Sequence, residues 1–476
     1  MTHPRPGRSL AAALLCCVLG ACGAPGARTT VAPTPARPVS GEYIVTAYST
    51  VVGPIRFRMD AEPTETGFRA NTPTGVAWSR VGGLQGLLGP MLAPFLFPRG
   101  MIVTWESALP EGDTPGEGTI GVGTLDSMRI PTRMTSADEP VELRLRDGRV
   151  IALLDLRRSE GTWTPPDYPA LAAATREAMG ELLYDPALAR SASVRRYLRD
   201  VDRAAELARD DVEFYFGLFF AARTHLRFTA PLLYPRDDDG ASRAMFEGRP
   251  AQPLPYSITR DPESGVTTIR IDTFIGDEMV DRAFAEALSP TPRGLVIDLR
   301  SCVGIDLSHL RAASWIIGQP LDAGAFIGGP SREAALGATY ADLPVIDFPP
   351  DGSSAAVQAR LDALGAARVR VLPRPNAYRG PVAVTASGRT SSTGEALVAA
   401  LGHAKAATVV GERTSGKPLL AREKDLGQGW SLRVAGYDYL QPDGETITGR
   451  GHEPDVRTSR GAAPAEAIKL LRARTE

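Results

Sequence analysis

The sequence reads Gly294-Leu295-Val296-Ile297-Asp298-Leu299 near its middle and continues as Arg300-Ser301-Cys302-Val303-Gly304. The apolar run is typical of a strand that is buried on both faces, and a polar loop with a glycine follows it. Two similar runs occur later, at residues 382–385 and 408–410. Helical patterns lie between the strands, at residues 279–288, 307–317 and 394–401. Strands that alternate with helices predict an α/β core with a largely parallel sheet, which we place at residues 236–476.

The segment before this core is predicted to be helical. Apolar residues recur there at spacings of three and four, as in Leu171, Ala174, Ala178 and Leu182. Asp210 followed by Glu213 is typical of a capping box that opens a further helix. Residues 158–235 therefore predict a small helical cap.

Residues 41–157 carry a β pattern. Apolar and charged residues alternate from 141 to 146, and Asp147-Gly148 suits a tight turn into a second arm at 149–153. Shorter runs at 42–46 and 55–59 are also predicted strands. We expect an N-terminal β domain, a small sandwich or barrel with a structural or docking role.

The N-terminus has the pattern of an export signal. Arg5 and Arg8 form a positive region, and the apolar run at 10–19 is too short to span a bilayer as a helix. The run ends in Leu19-Gly20-Ala21-Cys22, which resembles the bacterial lipobox. The resemblance implies a lipoprotein signal peptide at 1–21 and acylation of Cys22. An ordinary signal peptide with a chance cysteine is the alternative.

Residues 22–40 are rich in Ala, Pro and Thr and predict a tether between lipid and fold. We expect the chain to be lipid-anchored in the cell envelope, on the outer membrane and facing the periplasm, because Gly23 rather than Asp follows the cysteine. The formal net charge of −2 gives no reason to expect nucleic acid as a partner. The one cysteine outside the first 22 residues, Cys302, is expected to be a small buried residue rather than a reactive thiol.

Two polar loops follow predicted strands of the core. The first, Thr390-Ser391-Ser392-Thr393-Gly394-Glu395, opens a helix, so Ser392 lies near free amides and the positive end of a helix dipole. The second, Gly411-Glu412-Arg413-Thr414-Ser415-Gly416-Lys417, holds one lysine. Taken alone, the serines are helix caps and the lysine is a solvated surface residue. A lysine acts as a general base only where its amine is neutral.

Taken together, these segments resemble those of the C-terminal processing (tail-specific) serine peptidases. In that family a strand ending in Asp-Leu-Arg leads to a glycine loop, and the motifs Ser-Ala-Ser-Glu and Gly-Glu-x-Thr-x-Gly-Lys follow. Ser392 and Lys417 are separated by 25 residues, as in the family. The closing stretch Gly451-His452-Glu453-Pro454-Asp455-Val456 is similar as well, and the resemblance covers residues 185–456.

The resemblance implies a crotonase-like (ClpP-like) core that hydrolyses peptide bonds of a protein or peptide substrate through an acyl-enzyme. Ser392 would be the nucleophile and Lys417 its base, and the amides of Gly304 and Thr393 would form the oxyanion hole. No metal or organic cofactor is implied, and the five histidines show no metal-ligand spacing.

A second base is possible on the same resemblance. In the tricorn-like branch of these peptidases, a Ser-His pair before the core supplies a catalytic histidine, and His225 stands at that place. That branch also uses a glutamate near the end of the core, where this sequence has Thr448. A histidine packed under the helical cap is the structural interpretation of His225.

The sequence departs from the family pattern at several positions. Cys302-Val303 stand where Asn-Pro is common, Ile305 replaces a second glycine, and Ala421 replaces a glutamine that usually follows the lysine. No PDZ domain is evident between His225 and the core. These departures motivate two alternatives: a catalytically impaired peptide-binding lipoprotein, and an esterase-like hydrolase that uses the same serine.

The lipobox generates a direct test. Palmitate labelling of the expressed protein is expected and should be lost in Cys22→Ala, because acylation requires the thiol of that residue. Labelling that persists in the variant would show that Cys22 is not the acylated residue.

Overall fold

The computed structural model describes residues 40–49, 53–72, 103–122, 129–136, 139–144, 150–158, 163–226, 231–246 and 255–475. The predicted signal peptide, Cys22 and all but the last residue of the tether lie outside these ranges. The chain divides into two units. The first comprises residues 1–178, 190–252 and 423–433, and the second comprises residues 179–189, 253–422 and 434–476. Among the described residues, no helix has the length and apolar character that crossing a membrane requires.

A closed antiparallel barrel forms most of the first unit. Each strand pairs with the next, and the last pairs with the first. The strands are β1 (Gly41–Tyr48), β2 (Ile55–Pro63), β3 (Gly67–Asn71), β4 (Val103–Ala108), β5 (Gly116–Val122), β6 (Arg129–Met134), β7 (Val141–Arg144) and β8 (Val150–Arg158). The β pattern predicted from the sequence thus corresponds to the strands of a barrel. The inward-facing residues of this barrel include Met59 and Trp105. The N-terminal β domain is confirmed.

The predicted hairpin corresponds to β7 and β8. Leu143 lies opposite Ala152, and the register shifts by one residue at Arg144. This pairing is the one that a turn at Asp147-Gly148 would produce, but residues 145–149 lie outside the described ranges.

The predicted helices are present, and they follow the barrel strands in the chain. They are α1 (Tyr168–Leu182), α2 (Pro186–Ala189), α3 (Ala192–Leu207) and α4 (Asp211–His225), followed by β9 (Leu232–Pro235) and α5 (Ala241–Met245). Asp210 caps α4 as expected, since its carboxylate accepts the amide of Glu213 at 2.8 Å. The Glu213 carboxylate binds the amide of Arg209 rather than that of the cap residue. Aromatic residues of α4, Phe216 and Phe220, join the apolar core of the barrel.

A largely parallel sheet forms the centre of the second unit, as predicted. Its order is β10-β11-β12-β16-β17-β20, and only the β10–β11 pair is antiparallel. The strands are β10 (Tyr256–Asp261), β11 (Val266–Ile271), β12 (Gly294–Asp298), β16 (Val382–Ala386), β17 (Thr408–Gly411) and β20 (Val456–Arg457). The helices associated with it are α6 (Asp277–Ala287), α7 (His309–Ser314), α10 (Thr393–His403) and α11 (Ala463–Thr475). Apolar clusters pack on both faces, so β12 and β16 are completely buried.

A second sheet, which the sequence did not predict, has the order β14-β15-β13-β19-β18. Its strands are β13 (Leu321–Ile327), β14 (Val345–Phe348), β15 (Ala366–Val371), β18 (Leu420–Gly427) and β19 (Trp430–Leu440). Two helices, α8 (Ser331–Gly337) and α9 (Ser354–Leu364), lie between its strands in the chain. The last part of β18 and the first part of β19 belong to the first unit. The chain therefore enters the first unit within β18 and leaves it within β19.

A histidine is buried in the core of the second unit. His309 is 1% exposed, and its ring lies 6.3 Å from the ring centroids of both Phe274 and Phe326. Neither ring nitrogen has a well-formed hydrogen bond within the described residues. Burial lowers the pKa of His309 to about 3, and the nearby backbone of Asp306 offsets only part of this effect.

The chain should therefore lose stability in mild acid. Below pH 6.5 the unfolded histidine binds a proton that the folded one excludes until about pH 3. Between pH 7 and pH 5 this lowers the free energy of unfolding by about 2 kcal/mol. Urea unfolding of the wild type and of His309→Leu at the two pH values measures the contribution of His309 to the free energy of unfolding. If the variant had the same pH dependence of stability as the wild type, the assignment of this effect to His309 would be wrong.

Candidate active site

Three loops meet at the carboxyl edge of the parallel sheet. They follow β12, β16 and β17, which are parallel neighbours and therefore end on the same side. The Ser391 amide donates to the carbonyl of Cys302 at 3.0 Å, which joins the first two loops. The Ser392 amide donates to the carbonyl of Lys417 at 2.8 Å, which joins the second and third. The segments selected from the sequence are thus adjacent in the structure.

The backbone of Ser392 is strained. Its φ of 55° and ψ of −137° lie in a region that residues with a side chain rarely occupy. Such a conformation costs on the order of 1–3 kcal/mol and is concentrated at functional sites. A serine held in this way at a sharp turn from strand to helix is the arrangement of a nucleophile elbow.

The side chain of Ser392 does not serve as a helix cap. The residue occupies the N-cap position of α10, yet within the described residues its hydroxyl makes no capping hydrogen bond. Instead the half-buried Oγ donates to the carbonyl of Leu419 at 2.9 Å. The cap interpretation of this serine is therefore wrong, and the hydroxyl points towards the lysine loop.

Glu395 ties the serine helix to the lysine loop. Its fully buried carboxylate accepts hydrogen bonds from four donors of that loop. These are the Thr414 hydroxyl, the Ser415 hydroxyl at 3.1 Å, the Gly416 amide at 2.7 Å and the Lys417 amide at 2.9 Å. Burial raises the pKa of Glu395, and the four donors oppose that shift by stabilising the anion. The sequence motif contained this glutamate, but no role had been assigned to it.

Lys417 is fixed by its backbone and free at its side chain. Its amide is bound to Glu395, and its carbonyl accepts the Ser392 amide. The side chain is exposed, and it makes no ion pair with any residue that the structure describes. The base predicted for Ser392 thus lies in the adjacent loop with its side chain exposed to solvent.

The two predicted oxyanion donors lie side by side. A Cβ added to Gly304 would stand 1.9 Å from the Thr393 hydroxyl oxygen and 2.6 Å from the Thr393 nitrogen, so only glycine fits there. Thr393 is the first residue of α10, and its amide therefore has no acceptor within the helix. The Gly304 amide donates to the Ser391 carbonyl at 3.3 Å, a long hydrogen bond that an oxyanion would have to replace.

The rival base lies in the other unit. His225 ends α4 in the first unit, and its Nε2 stands 2.8 Å from a carboxylate oxygen of Asp200. Thr448, which replaces the glutamate of the tricorn-like pattern, donates through its hydroxyl to the buried carboxylate of Asp438 at 2.5 Å. Asp438 was not selected from the sequence, because it lies ten residues before Thr448 on β19.

Two further expectations concern cysteine and metal. Cys302 is fully buried against the start of α10, and burial raises the pKa of its thiol, so it is a packing residue. Within the part of the chain that the structure describes, no group of three or more His, Cys, Asp or Glu side chains is placed to hold a metal ion.

Residues 265–458 match the sequence profile of a family of serine peptidases. The family is peptidase family S41, and the match confirms the resemblance that was read from the motifs. A search of curated protein sequences found no match.

Solved structures of three proteins show weak similarity to this chain. A lipoprotein from Streptococcus agalactiae is 13% identical, with 66% of this chain and 98% of that chain covered and a TM-score of 0.43. The photosystem II D1 C-terminal processing protease is 14% identical, with 65% and 98% covered and a TM-score of 0.37. The tricorn protease is 11% identical, with 92% and 55% covered and a TM-score of 0.38. Since these TM-scores are low, the family assignment rests on the sequence match.

The Glu395 contacts predict a specific loss. Glu395→Gln places an amide NH2 among four donors, so the lysine loop should shift relative to Ser392. We expect the rate of Ser392 labelling by a fluorophosphonate probe to fall about tenfold to a hundredfold, because small displacements within a catalytic unit have effects of this size. Thermal unfolding should show a loss of about 1–3 kcal/mol.

Glu453→Gln is the matched control, since Glu453 is an exposed glutamate paired with Arg413 and Arg457 on the same unit. Its labelling rate should equal that of the wild type. Equal rates in Glu395→Gln and wild type would show that the carboxylate does not position the site.

Proposed function

We propose that the chain is a serine endopeptidase of the C-terminal processing type that uses a Ser392–Lys417 dyad. The observation that carries the proposal is the strained Ser392, whose helix is tied to the lysine loop through Glu395. The match of residues 265–458 to peptidase family S41 supports the reaction class. The substrate is a protein or peptide, and the reaction proceeds through an acyl-enzyme.

In the proposed mechanism, the Ser392 Oγ attacks the carbonyl carbon of the scissile peptide bond while the neutral Lys417 amine takes the hydroxyl proton. The tetrahedral intermediate carries its negative charge on oxygen, where the Thr393 and Gly304 amides donate hydrogen bonds. The Lys417 ammonium then gives the proton to the leaving amine, and the C–N bond breaks. Water, activated by the same amine, hydrolyses the acyl-enzyme and restores both residues.

The exposure of Lys417 sets a condition for this mechanism. An amine becomes a useful base when it is removed from water, because desolvation disfavours its charged form. A peptide that lies along the three loops would cover the side chain and exclude water from it. We therefore propose that substrate binding completes the dyad.

Three finer features belong to the same proposal. The core of the second unit is crotonase-like (ClpP-like), since its parallel sheet carries the site at its carboxyl edge. Acylation of Cys22 holds the chain on the outer membrane, facing the periplasm. The barrel and helices of the first unit have a structural or docking role, supported by an interior filled with packed side chains such as Trp105.

A second candidate is a peptide-binding lipoprotein without peptidase activity. One observation favours it: the Gly304 amide is bound to the Ser391 carbonyl, so the oxyanion hole would have to rearrange to function. A third candidate is a tricorn-like hydrolase that uses His225. Its support is the Asp200 carboxylate on the imidazole, an interaction that orients catalytic histidines.

The dyad predicts that Ser392→Ala and Lys417→Ala lose cleavage of a quenched fluorescent peptide to the same extent. The double variant should be no less active than either single variant, because the members of one catalytic unit are not additive. His225→Ala should keep a substantial fraction of the activity. Steady-state cleavage rates for the four variants, normalised to folded protein by circular dichroism, show whether Lys417 or His225 is the base.

Ser391→Ala is the control, since the hydroxyl of that neighbouring serine has no assigned role. An inactive His225→Ala beside an active Lys417→Ala would refute the dyad and support the Ser-His hydrolase. Hydrolysis of esters without peptides would support the esterase alternative. A wild type that neither cuts peptides nor reacts with a fluorophosphonate, but binds peptides, would support the binding protein.

A further inference from the structure

Four arginines gather at the carboxyl edge of the parallel sheet. Arg270 is the next-to-last residue of β11, and the other three follow β12, β16 and β20 within three residues: Arg300, Arg389 and Arg460. We call these four residues the arginine cluster. Because the carboxyl ends of parallel strands lie together, residues distant in sequence are brought to the edge that also carries Ser392.

Direct contacts hold two members together. The Arg300 guanidinium donates to the carbonyl of Arg460 at 2.5 Å, and the Arg460 guanidinium donates to the Ser301 hydroxyl at 2.7 Å. A third link runs through Ser387, which donates its hydroxyl to the Arg300 carbonyl at 2.7 Å and accepts the Arg389 amide at 3.1 Å. The cluster is therefore a defined part of the loops after β12 and β16.

Carboxylates do not neutralise the whole cluster. The Asp298 carboxylate accepts hydrogen bonds from Nε and one terminal nitrogen of Arg300, and Asp272 pairs with Arg270. Glu412 accepts the backbone amide of Arg460. Arg389 is exposed and makes no ion pair with any residue in the described ranges.

The surroundings of Arg460 confirm an excess of positive charge. Burial lowers the pKa of Arg460, the nearby charges of Arg389, Arg300 and Arg270 lower it further, and Glu412 opposes the shift. The Nε of Arg460 is buried and has no hydrogen-bond partner within the described residues. Groups of this kind, with unused donors and surplus positive charge, favour a bound anion.

The distance to the nucleophile is limited by the chain. Arg389 precedes Ser392 by three residues, and a fully extended chain spans at most about 3.3–3.6 Å per residue. Their Cα atoms are thus no more than about 11 Å apart. An extended substrate advances about 3.3 Å per residue, so an anion on the cluster lies within about four residues of the scissile bond.

We propose that Arg389 and Arg460 bind a carboxylate of the substrate, either an acidic side chain or a free C-terminus, within about four residues of the scissile bond. The inference rests on the proposed peptidase function and adds a substrate class to it. Asp298 holds Arg300, and the Arg300 guanidinium positions Arg460 by donating to the Arg460 carbonyl. Arg389 supplies the unpaired positive charge.

Quenched fluorescent peptides test the proposal. In one series, Glu replaces Gln at each of the four positions on either side of the scissile bond, and all peptides are amidated. In a second series, the neutral peptide ends two, three or four residues after the scissile bond. Its C-terminus is either a free carboxylate or an amide. At one or two adjacent positions the carboxylate should raise kcat/KM about tenfold, mainly through KM, as expected for one charge-assisted pair. Half-molar salt should reduce the gain.

Arg389→Gln should abolish the gain that the carboxylate gives, and Arg389→Lys should keep part of that gain. Arg360→Gln is the control, since Arg360 is an exposed arginine on α9. The series that shows the gain identifies an acidic side chain or a C-terminus as the source. Equal cleavage of Gln and Glu peptides, and of amide and carboxylate termini, would overturn the proposal while the peptidase function stands. Absence of any Ser392-dependent cleavage would overturn the function itself.

Discussion

The buried carboxylate of Glu395 is the interaction on which the geometry of the site depends. A carboxylate removed from water is destabilising unless hydrogen bonds replace its hydration. Here all four replacements come from a single loop, so stabilising the charge and folding the lysine loop are one event. Because Glu395 lies one turn of helix after Ser392, its hydrogen bonds fix the position of the lysine loop relative to the serine as well as to the sheet. The return hydrogen bond from the Ser392 amide to the Lys417 carbonyl closes this connection.

The topology of the sheet explains why such a connection can form. Residues Gly304, Ser392 and Lys417 are far apart in sequence, but each follows one of three parallel neighbours, β12, β16 and β17. The order of strands thus places three loops in a row, with the serine loop in the middle. The outer loops each bind the middle one through backbone hydrogen bonds, and the close approach at Gly304 leaves no room for a side chain.

Much of the core could be predicted because its strands are buried on both faces and are therefore apolar throughout, as in residues 295–297. The second sheet was missed for a physical reason: its outer strands are half-exposed, as the alternating burial of Val345–Phe348 shows, and so short that polar residues mask the pattern. Closure of the barrel depends on pairing of β1 with β8, which no local pattern encodes. In the site, motif spacing identified Ser392 and its loop partners. The four-donor role of Glu395 and the contact between His225 and Asp200 depend on tertiary packing, and so they were visible only in the structure.

The hydrogen bond from the Ser392 hydroxyl to the Leu419 carbonyl links these features to reactivity. A hydroxyl has one proton, and here that proton is held by the backbone two residues beyond Lys417 rather than by an amine. Rotation about χ1 is the motion that would release the Ser392 hydroxyl from this carbonyl. In the proposed mechanism, a peptide that covers the three loops removes water from the Lys417 amine and so makes it a better acceptor than the Leu419 carbonyl. The nucleophile is then activated by the arrival of substrate, and the exposed lysine of the free protein is consistent with a base that works only in the complex.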